Sequence, residues 1–429
     1  MRQVLAREHG WLVIGEHGDL YRREADLLAE AEPQLPGRCL EWGHQRVKFR
    51  QFCGVVRLDN VQIEVLPKLS TYQSAAHQRK TLLTLLSRGS ELNALDMGAA
   101  SLANSETLLL DIFIRHFAEL LDHQLRHGML QDYRDVEDNL GMVRGRIDMV
   151  RQQRENLTHP QRIACRFNEL STDIPVNRLL KTALDLLQTL VSSLLLRQYI
   201  ASLRMRFAHV PSLQRHEWAP RGDDLNRMQR RYAPVVDLAH LFLSGQYLDV
   251  RSGQSRTFSL LFDMNRLFER YTASLIEPEV RRAGLRLQEQ GPIQHLVTEE
   301  RGSPRLRMRP DIALLNRHNT VVSILDTKWK ILAGKDPLGA LSNSDLYQIS
   351  TYAAAYGCRE VGLFFPEQEC FQSERPRRLT IELGNRVKLT VRAVPVSDPG
   401  ARMHLDFWNM ERSPPESKVP SRSPFSTYI

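Results

Sequence analysis

Two short stretches decide how this chain is read. One is Leu306-Arg307-Met308-Arg309-Pro310-Asp311-Ile312-Ala313-Leu314; the other, beyond Asn316-Arg317-His318-Asn319, is Val321-Val322-Ser323-Ile324-Leu325-Asp326-Thr327-Lys328. In the first, Leu306, Met308, Ile312 and Leu314 fall on one face and Arg307, Arg309 and Asp311 on the other, the period of two that a strand imposes. Asp311 is therefore expected to project from a strand. The second is β-branched and apolar, and its Asp326 and Lys328 are two apart, so they share a face. Asn316–Asn319 has turn composition, which joins the strands as a hairpin. With those four residues as the loop, simple antiparallel pairing sets Asp311 opposite Ile324 and leaves Asp326 on the adjacent diagonal, roughly 7 to 8 Å away.

Two carboxylates and an amine at the end of such a hairpin have a chemical use. A hard divalent cation such as Mg²⁺ takes oxygen ligands and keeps several waters, so two carboxylates, a backbone carbonyl and a phosphate oxygen make a sufficient site. Mn²⁺ is the natural substitute. The cation acidifies a water and offsets charge on the phosphate, while Lys328 beside it orients or deprotonates the attacking water and neutralises developing charge. The residues thus point to metal-dependent phosphodiester hydrolysis, with Asp311 and Asp326 as metal ligands and Lys328 as catalytic amine. Taken alone they also describe a surface hairpin with an Asp–Lys ion pair.

The flanking segments favour the catalytic alternative. Phe258–Ile276 carries apolar residues at Leu261, Met264, Leu267, Phe268 and Tyr271, an amphipathic helical spacing. Its Glu269 is a further candidate metal or water ligand, alongside the competing role of an exposed helix residue paired with Arg266 or Arg270. Downstream, Asp345–Tyr352 begins a helix on which Gln348 and Tyr352 are four apart and share a face. Gln348 is placed to reach back to the metal or the phosphate.

The order is helix with Glu269, strand with Asp311, strand with Asp326 and Lys328, helix with Gln348 and Tyr352, then the strand Val361–Phe365. It resembles the PD-(D/E)xK nuclease superfamily. Within it the chain is similar to the McrC family, the nuclease subunits of McrBC-type modification-dependent restriction systems. The similarity is carried by Leu267-Phe268-Glu269-Arg270-Tyr271, Arg309-Pro310-Asp311-Ile312, Leu325-Asp326-Thr327-Lys328-Trp329-Lys330, Ser344-Asp345-Leu346-Tyr347-Gln348 and Tyr352-Ala353. Two N-terminal pieces agree: Ile63-Glu64-Val65-Leu66-Pro67-Lys68-Leu69, and Asn168–Asp173 leading to Asn177–Lys181. The resemblance implies a separate hexameric AAA+ GTPase, McrB, whose central pore receives the N-terminal region. That partner recognises modified, methylcytosine-containing double-stranded DNA and translocates, while the McrC chain stimulates GTP hydrolysis and cuts. Two other functions compete: a non-catalytic AAA+ activator that only docks DNA, and a stand-alone DNA repair nuclease.

Composition sets limits without deciding among these. A chain of 429 residues, 42% hydrophobic and 25% charged, has room for two or three ordinary globular domains. The net charge of +8 favours an anionic partner, since Lys and Arg displace counterions from phosphates. Cys39, Cys53, Cys165, Cys358 and Cys370 are odd in number, scattered and without a C-x-x-C pair, against both a disulfide framework and a zinc site. No signal-peptide core and no apolar stretch of membrane length occur, which predicts a cytoplasmic protein with no membrane partner. Ala333-Gly334-Lys335-Asp336 lacks the first Gly and the Ser or Thr of a P-loop, so nucleotide hydrolysis is expected of the partner and not of this chain.

The expected fold is α/β, a mixed β and helical region at 1–250 that contacts the partner, followed by a PD-(D/E)xK nuclease domain at 256–411 and a disordered Ser- and Pro-rich tail at 412–429. The boundary is placed at the polar stretch Arg251–Ser255. Gly54–Leu58 and Val61–Val65 are read as a hairpin across Asp59-Asn60. Arg79–Leu86, Glu106–Leu125 and one long segment, Asp173–Leu196, are read as helices, and Asp132–Asp148 as a strand and turn. Gln214–Tyr232, with Trp218 and several Arg, is either a DNA-backbone track or a solvated helix face. Arg378–Glu382 and Arg386–Val394 form a further hairpin across Gly384-Asn385, extending the nuclease sheet.

Overall fold

The structure, a computed structural model, describes residues 1–69, 74–89, 107–213, 219–248, 256–298, 304–332, 341–368, 378–383, 387–398 and 400–403. The chain opens with strands β1 (Arg2–Arg7) and β2 (Trp11–Val13), helix α1 (Arg22–Ala31), and strands β3 (Leu40–Gly43), β4 (Arg46–Phe49), β5 (Phe52–Leu58) and β6 (Val61–Leu66). Helices α2 (Ala75–Gly89) and α3 (Leu109–Arg126) follow. An excursion then comprises β7 (Asp132–Leu140), β8 (Arg146–Ile147), α4 (Met149–Glu155) and β9 (Ile163–Ser171). Helices α5 (Pro175–Leu190), α6 (Leu194–Arg206) and α7 (Ala233–Ser244) precede strands β10 (Gln246–Leu248) and β11 (Arg256–Asp263) and helix α8 (Met264–Arg282). The last part runs β12 (Arg286–Glu289), β13 (Gln294–Thr298), β14 (Pro304–Met308), β15 (Ile312–Leu315), β16 (Val321–Thr327), α9 (Asn343–Tyr356), β17 (Glu360–Pro366), β18 (Arg378–Leu383) and β19 (Val387–Val394). The protein is mixed α/β, as expected.

Two main sheets organise it. The first has the order β1-β6-β5-β11-β10. All six residues of β6 are buried, because the sheet is covered on both faces. Val56, Ile63 and Val65 join a core with β1, β4 and α1, while Val55 faces α2, α3, α5 and α7. Phe117 of α3 meets Phe242 of α7 edge to face at 5.8 Å; each such fully buried ring contributes about 1.5–3 kcal/mol of transfer free energy. The second sheet has the order β12-β15-β16-β17-β19-β18. There α9 forms the crossover between the parallel neighbours β16 and β17, the connection that parallel pairing requires. The β7–β9 ladder with β8 and α4 is instead largely exposed. Among the described residues no helix is long and apolar enough to cross a membrane.

Several expectations are corrected here. Phe258–Ile276 is not one helix: through Asp263 it is strand β11, and the Asp263 side chain then caps α8 by accepting from the amides of Asn265 and Arg266. The long segment Asp173–Leu196 is two helices, because the Asp111 carboxylate accepts the amides of Ser192 and Ser193 at 3.1 Å each and turns the chain between them. The described part of Gln214–Tyr232 is a pair of short 3₁₀ turns, with Arg231 donating to the carbonyls of His127 and Gly128; Arg215 and Trp218 lie outside the described residues. The proposed boundary at Arg251–Ser255 and the tail 412–429 lie outside them as well. Strand β11, just after that boundary, pairs with β5, so residues 256–263 complete the first sheet. The hairpin β5–β6 is found where its turn chemistry puts it; β18 and β19 pair antiparallel, and Gly384-Asn385 lies outside the described residues.

The close approach of β5 and β11 depends on Gly54, whose φ is +141° and where a Cβ would lie 1.9 Å from the Leu260 carbonyl oxygen. Gly54→Ala should therefore destabilise the protein by about 3 kcal/mol, lowering Tm by roughly 3 °C. Gly15→Ala, where an added Cβ meets nothing within 4 Å, is the control, and thermal melts of the two variants provide the check. Equal melting temperatures would refute the packing argument.

Candidate active site

The β15–β16 hairpin places the first carboxylate. Its loop is longer than its turn residues suggest: the Asn316 amide donates to the Thr320 carbonyl, and the Asn316 side chain accepts from the amides of His318 and Thr320. A bulge between Leu314 and Leu315 adds a further step. Together they shift the register by two, so Ile312 pairs with Leu325 and Ala313 with Ile324. Asp311 therefore comes level with Asp326 and not with Ile324. Asp311 also lies just before β15 and does not project from a continuous strand, because Arg309 and Pro310 separate β14 from β15. Its Oδ2 accepts from both the backbone amide and the hydroxyl of Thr327, at 2.8 Å each.

Asp326 lies on β16 between β15 and β17 and is 1% exposed. Its Oδ1 accepts from Gln348 Nε2 at 3.3 Å. Lys328 Nζ lies 2.8 Å from its Oδ2, an ion contact at an angle that leaves that buried oxygen without an aligned donor. Lys328 Nζ also donates to Gln348 Oε1 at 2.9 Å, and Gln348 Nε2 to the Tyr352 hydroxyl at 3.2 Å. Tyr352 in turn donates to the Arg309 carbonyl at 3.3 Å, so α9 holds both the amine and the segment that leads into Asp311. The helix is itself anchored: Ser342 and Asp345 form its capping box, and Lys330 donates to Asp345.

Glu269, 6% exposed on α8, accepts from the Gln290 side chain, and the Gln290 backbone amide donates to the Asp311 carbonyl at 2.8 Å. Burial, followed by the charge of Asp311, pushes the Glu269 carboxyl up to about 7. Burial and then Asp311 raise Asp326 as well. The structure thus brings Asp311, Asp326, Lys328 and Gln348 together and links Glu269 to Asp311 through Gln290. Among the described residues no three Asp, Glu, His or Cys are gathered as a metal cage, so Asp311, Asp326 and Glu269 do not form one. The donor set still fits a hard divalent cation. Two carboxylates repel one another, one of them has a buried oxygen without an aligned donor, and positive charge relieves both conditions. Gln290 was not anticipated; the signal for it was the polar Gln288-Glu289-Gln290 run ending at Gly291-Pro292, which reads as a turn with no indication of what it faces.

The Glu269 shift has a sign that can be tested. Its folded pKa of about 7 exceeds its ordinary 4.5, so the folded state binds the proton more tightly than the unfolded chain does. The resulting stability is complete below about 4.5 and is lost as pH rises through 7. In metal-free buffer Glu269→Gln, which can still accept from Gln290, should melt higher than the wild type at pH 8 and equally at pH 4. Thermal melts across that range decide it, and a variant that melts lower at pH 8 would contradict the assigned burial.

Comparison with known proteins identifies the family and the fold. No curated protein matches the chain. Of solved structures, a chain of the refined half-complex from the tetradecameric assembly of Thermococcus gammatolerans McrB AAA+ hexamers with bound McrC shares the fold with a TM-score of 0.71 at 18% identity, covering 94% of this chain and 96% of that one. A chain of the Thermococcus gammatolerans McrBC complex aligns with a TM-score of 0.50 at 18% identity over 65% of this chain and 88% of that one. A family profile described as McrBC 5-methylcytosine restriction system component matches residues 47–366. As that match spans well over half of its length, the protein belongs to the McrBC 5-methylcytosine restriction system component family.

Proposed function

We propose that the protein is a Mg²⁺-dependent DNA endonuclease, the McrC-type subunit of an McrBC-like defence system, acting in the cytoplasm on methylcytosine-containing double-stranded DNA with a hexameric McrB-like AAA+ GTPase. The observation that carries this is the convergence of Asp311, Asp326, Lys328 and Gln348 at the ends of β15 and β16 and on α9.

Asp311 and Asp326 would hold the divalent cation, which supplies positive charge for the phosphate and acidifies water when bound. Thr327 fixes one Asp311 oxygen through two donors, leaving the other to turn toward the cation. Burial on its own would lower the Lys328 pKa, but Asp326, then Asp311 and Asp345, outweigh it and the net shift is upward. The amine is thus a standing cation. In that state it is suited to orienting the attacking water and neutralising charge on the phosphate. Gln348 keeps the ammonium from collapsing wholly onto Asp326 by accepting a hydrogen bond from it. Glu269 acts next to Asp311 as a support for it.

The excursion β7–β9 with α4 is the part of the N-terminal region suited to entering a partner's pore. It projects with Tyr133, Met142, Val150 and Leu157 exposed between 72% and 81%, an apolar surface of the kind that marks an interface. Paired variants Met142→Asp and Val150→Asp should reduce stimulation of the partner's GTPase by at least about tenfold while the melting temperature holds. Unchanged GTP turnover would place the contact elsewhere.

For the chemistry, Asp326→Asn and Lys328→Ala should each lower plasmid cleavage by at least about a hundredfold in the presence of partner, GTP and Mg²⁺, with partner binding and GTPase stimulation intact. The isolated chain should bind DNA weakly and in a salt-sensitive manner and cut poorly. Cleavage at wild-type rate by Asp326→Asn would remove Asp326 from the site, and no cleavage by the wild-type pair would leave a non-catalytic activator. Efficient cutting of unmodified DNA by the chain alone would instead indicate a repair nuclease.

A further inference from the structure

Lys328 is followed by Trp329 and Lys330, and each of these is tied to a different element. Lys330 binds Asp345 and Ser342 at the start of α9. The Trp329 ring lies against Phe268 of α8 with centroids 5.4 Å apart, and its Nε1 donates to Glu8 Oε2 at 2.9 Å. Glu8 lies at the end of a strand of the other main sheet. It follows β1, is 2% exposed, and its amide donates to the Leu66 carbonyl at 2.9 Å, while its carboxylate accepts from the Lys68 backbone. A buried carboxylate is costly unless it is hydrogen-bonded, and its Oε1 has no aligned donor, with the His9 ring 3.6 Å away. The indole N–H and the Lys68 amide are therefore what hold it. Because Trp329 and Glu8 are 321 positions apart, this one bond joins the end of the first sheet, at the Leu66-Pro67-Lys68 corner, to the residue next to the amine.

We propose that Glu8 is a positioning residue for the nuclease site: by holding the Trp329 indole it fixes the backbone from which Lys328 projects and couples the setting of the first sheet to the reach of the amine. This rests on the nuclease function proposed above. Displacement of the Leu66–Lys68 corner frees Glu8, Trp329 swings from Phe268, and Lys328 loses its aim at Asp326 and Gln348. Misplacement of about 1 Å at a catalytic group is enough to cost up to about a hundredfold in rate.

The test uses the full chain with its AAA+ partner, GTP, Mg²⁺ and a methylcytosine-containing plasmid. Glu8→Leu, which removes the acceptor, should lower kcat roughly ten- to a hundredfold with KM for DNA little changed. Glu8→Gln keeps an oxygen for the indole and should retain kcat within about twofold. Trp329→Phe should match Glu8→Leu, and the double variant should be no slower than the slower single one, as expected of two halves of one interaction. The indole N–H resonance assigned by its loss in Trp329→Phe should shift in Glu8→Leu and stay in place in Glu8→Gln, a readout independent of cleavage. Wild-type kcat in Glu8→Leu, equal slowing by Glu8→Gln, or multiplied effects in the double variant would each overturn the assignment. Failure of the nuclease function itself looks different: wild type and Asp326→Asn would then be equally inactive while the indole resonance still moved.

Discussion

Two carboxylates set side by side, one wholly buried and one half-buried, are the constraint around which the second half of this protein is built. Asp311 and Asp326 are brought level by a longer loop and a bulge that a simple hairpin would lack. Left alone they would part or take up a proton, and the upward shift of Asp326 shows how strongly burial and its neighbour oppose its charge. The Thr327 donors, Lys328 and Gln348 make the pair tolerable without cancelling it. What remains is an affinity for positive charge, held in a fixed geometry before any ligand arrives.

The crossover helix does more than connect β16 to β17. Through Gln348 it reaches the amine and the buried aspartate, through Tyr352 the Arg309 carbonyl, and through Tyr356 the Met308 carbonyl at 3.4 Å. One rigid element thereby controls both strand ends, and Lys330 on Asp345 fixes its start. Gln348, outside the core, and Tyr352 and Tyr356, which also pack within it, are thus the residues of α9 that set the distances within the site.

Much of this was legible in the sequence because it is local. β-Branched and apolar composition marks β16, turn residues mark the β5–β6 hairpin, and the i, i+4 relation puts Gln348 and Tyr352 on one face. The register was legible only to within two residues, since the bulge at Leu314–Leu315 leaves no compositional trace. Phe258–Asp263 was misassigned because its apolar residues satisfy helical and strand spacing alike, and the deciding signal was Asp263 as a cap. The break at Ser192-Ser193 could not be foreseen at all: it is made by Asp111, a residue on another helix. Glu8 and Trp329 escaped for the same reason, as partners 321 positions apart share no local pattern.

Strand β11 has a consequence for how the molecule comes into being. It sits between β5 and β10, yet it is made after the whole of the helical segment and the β7–β9 excursion. As the chain leaves the ribosome, β5 can pair with β6 early but must wait for residues 256–263 to cover its other side. For that interval an apolar strand edge stands open, the situation in which nascent chains stick to one another. Residues that leave the ribosome late thus decide when the earliest part of the protein is safe from its neighbours, and the same late strand runs directly into the helix that carries Glu269. Completion of the first sheet and delivery of the second half of the molecule are one event in time.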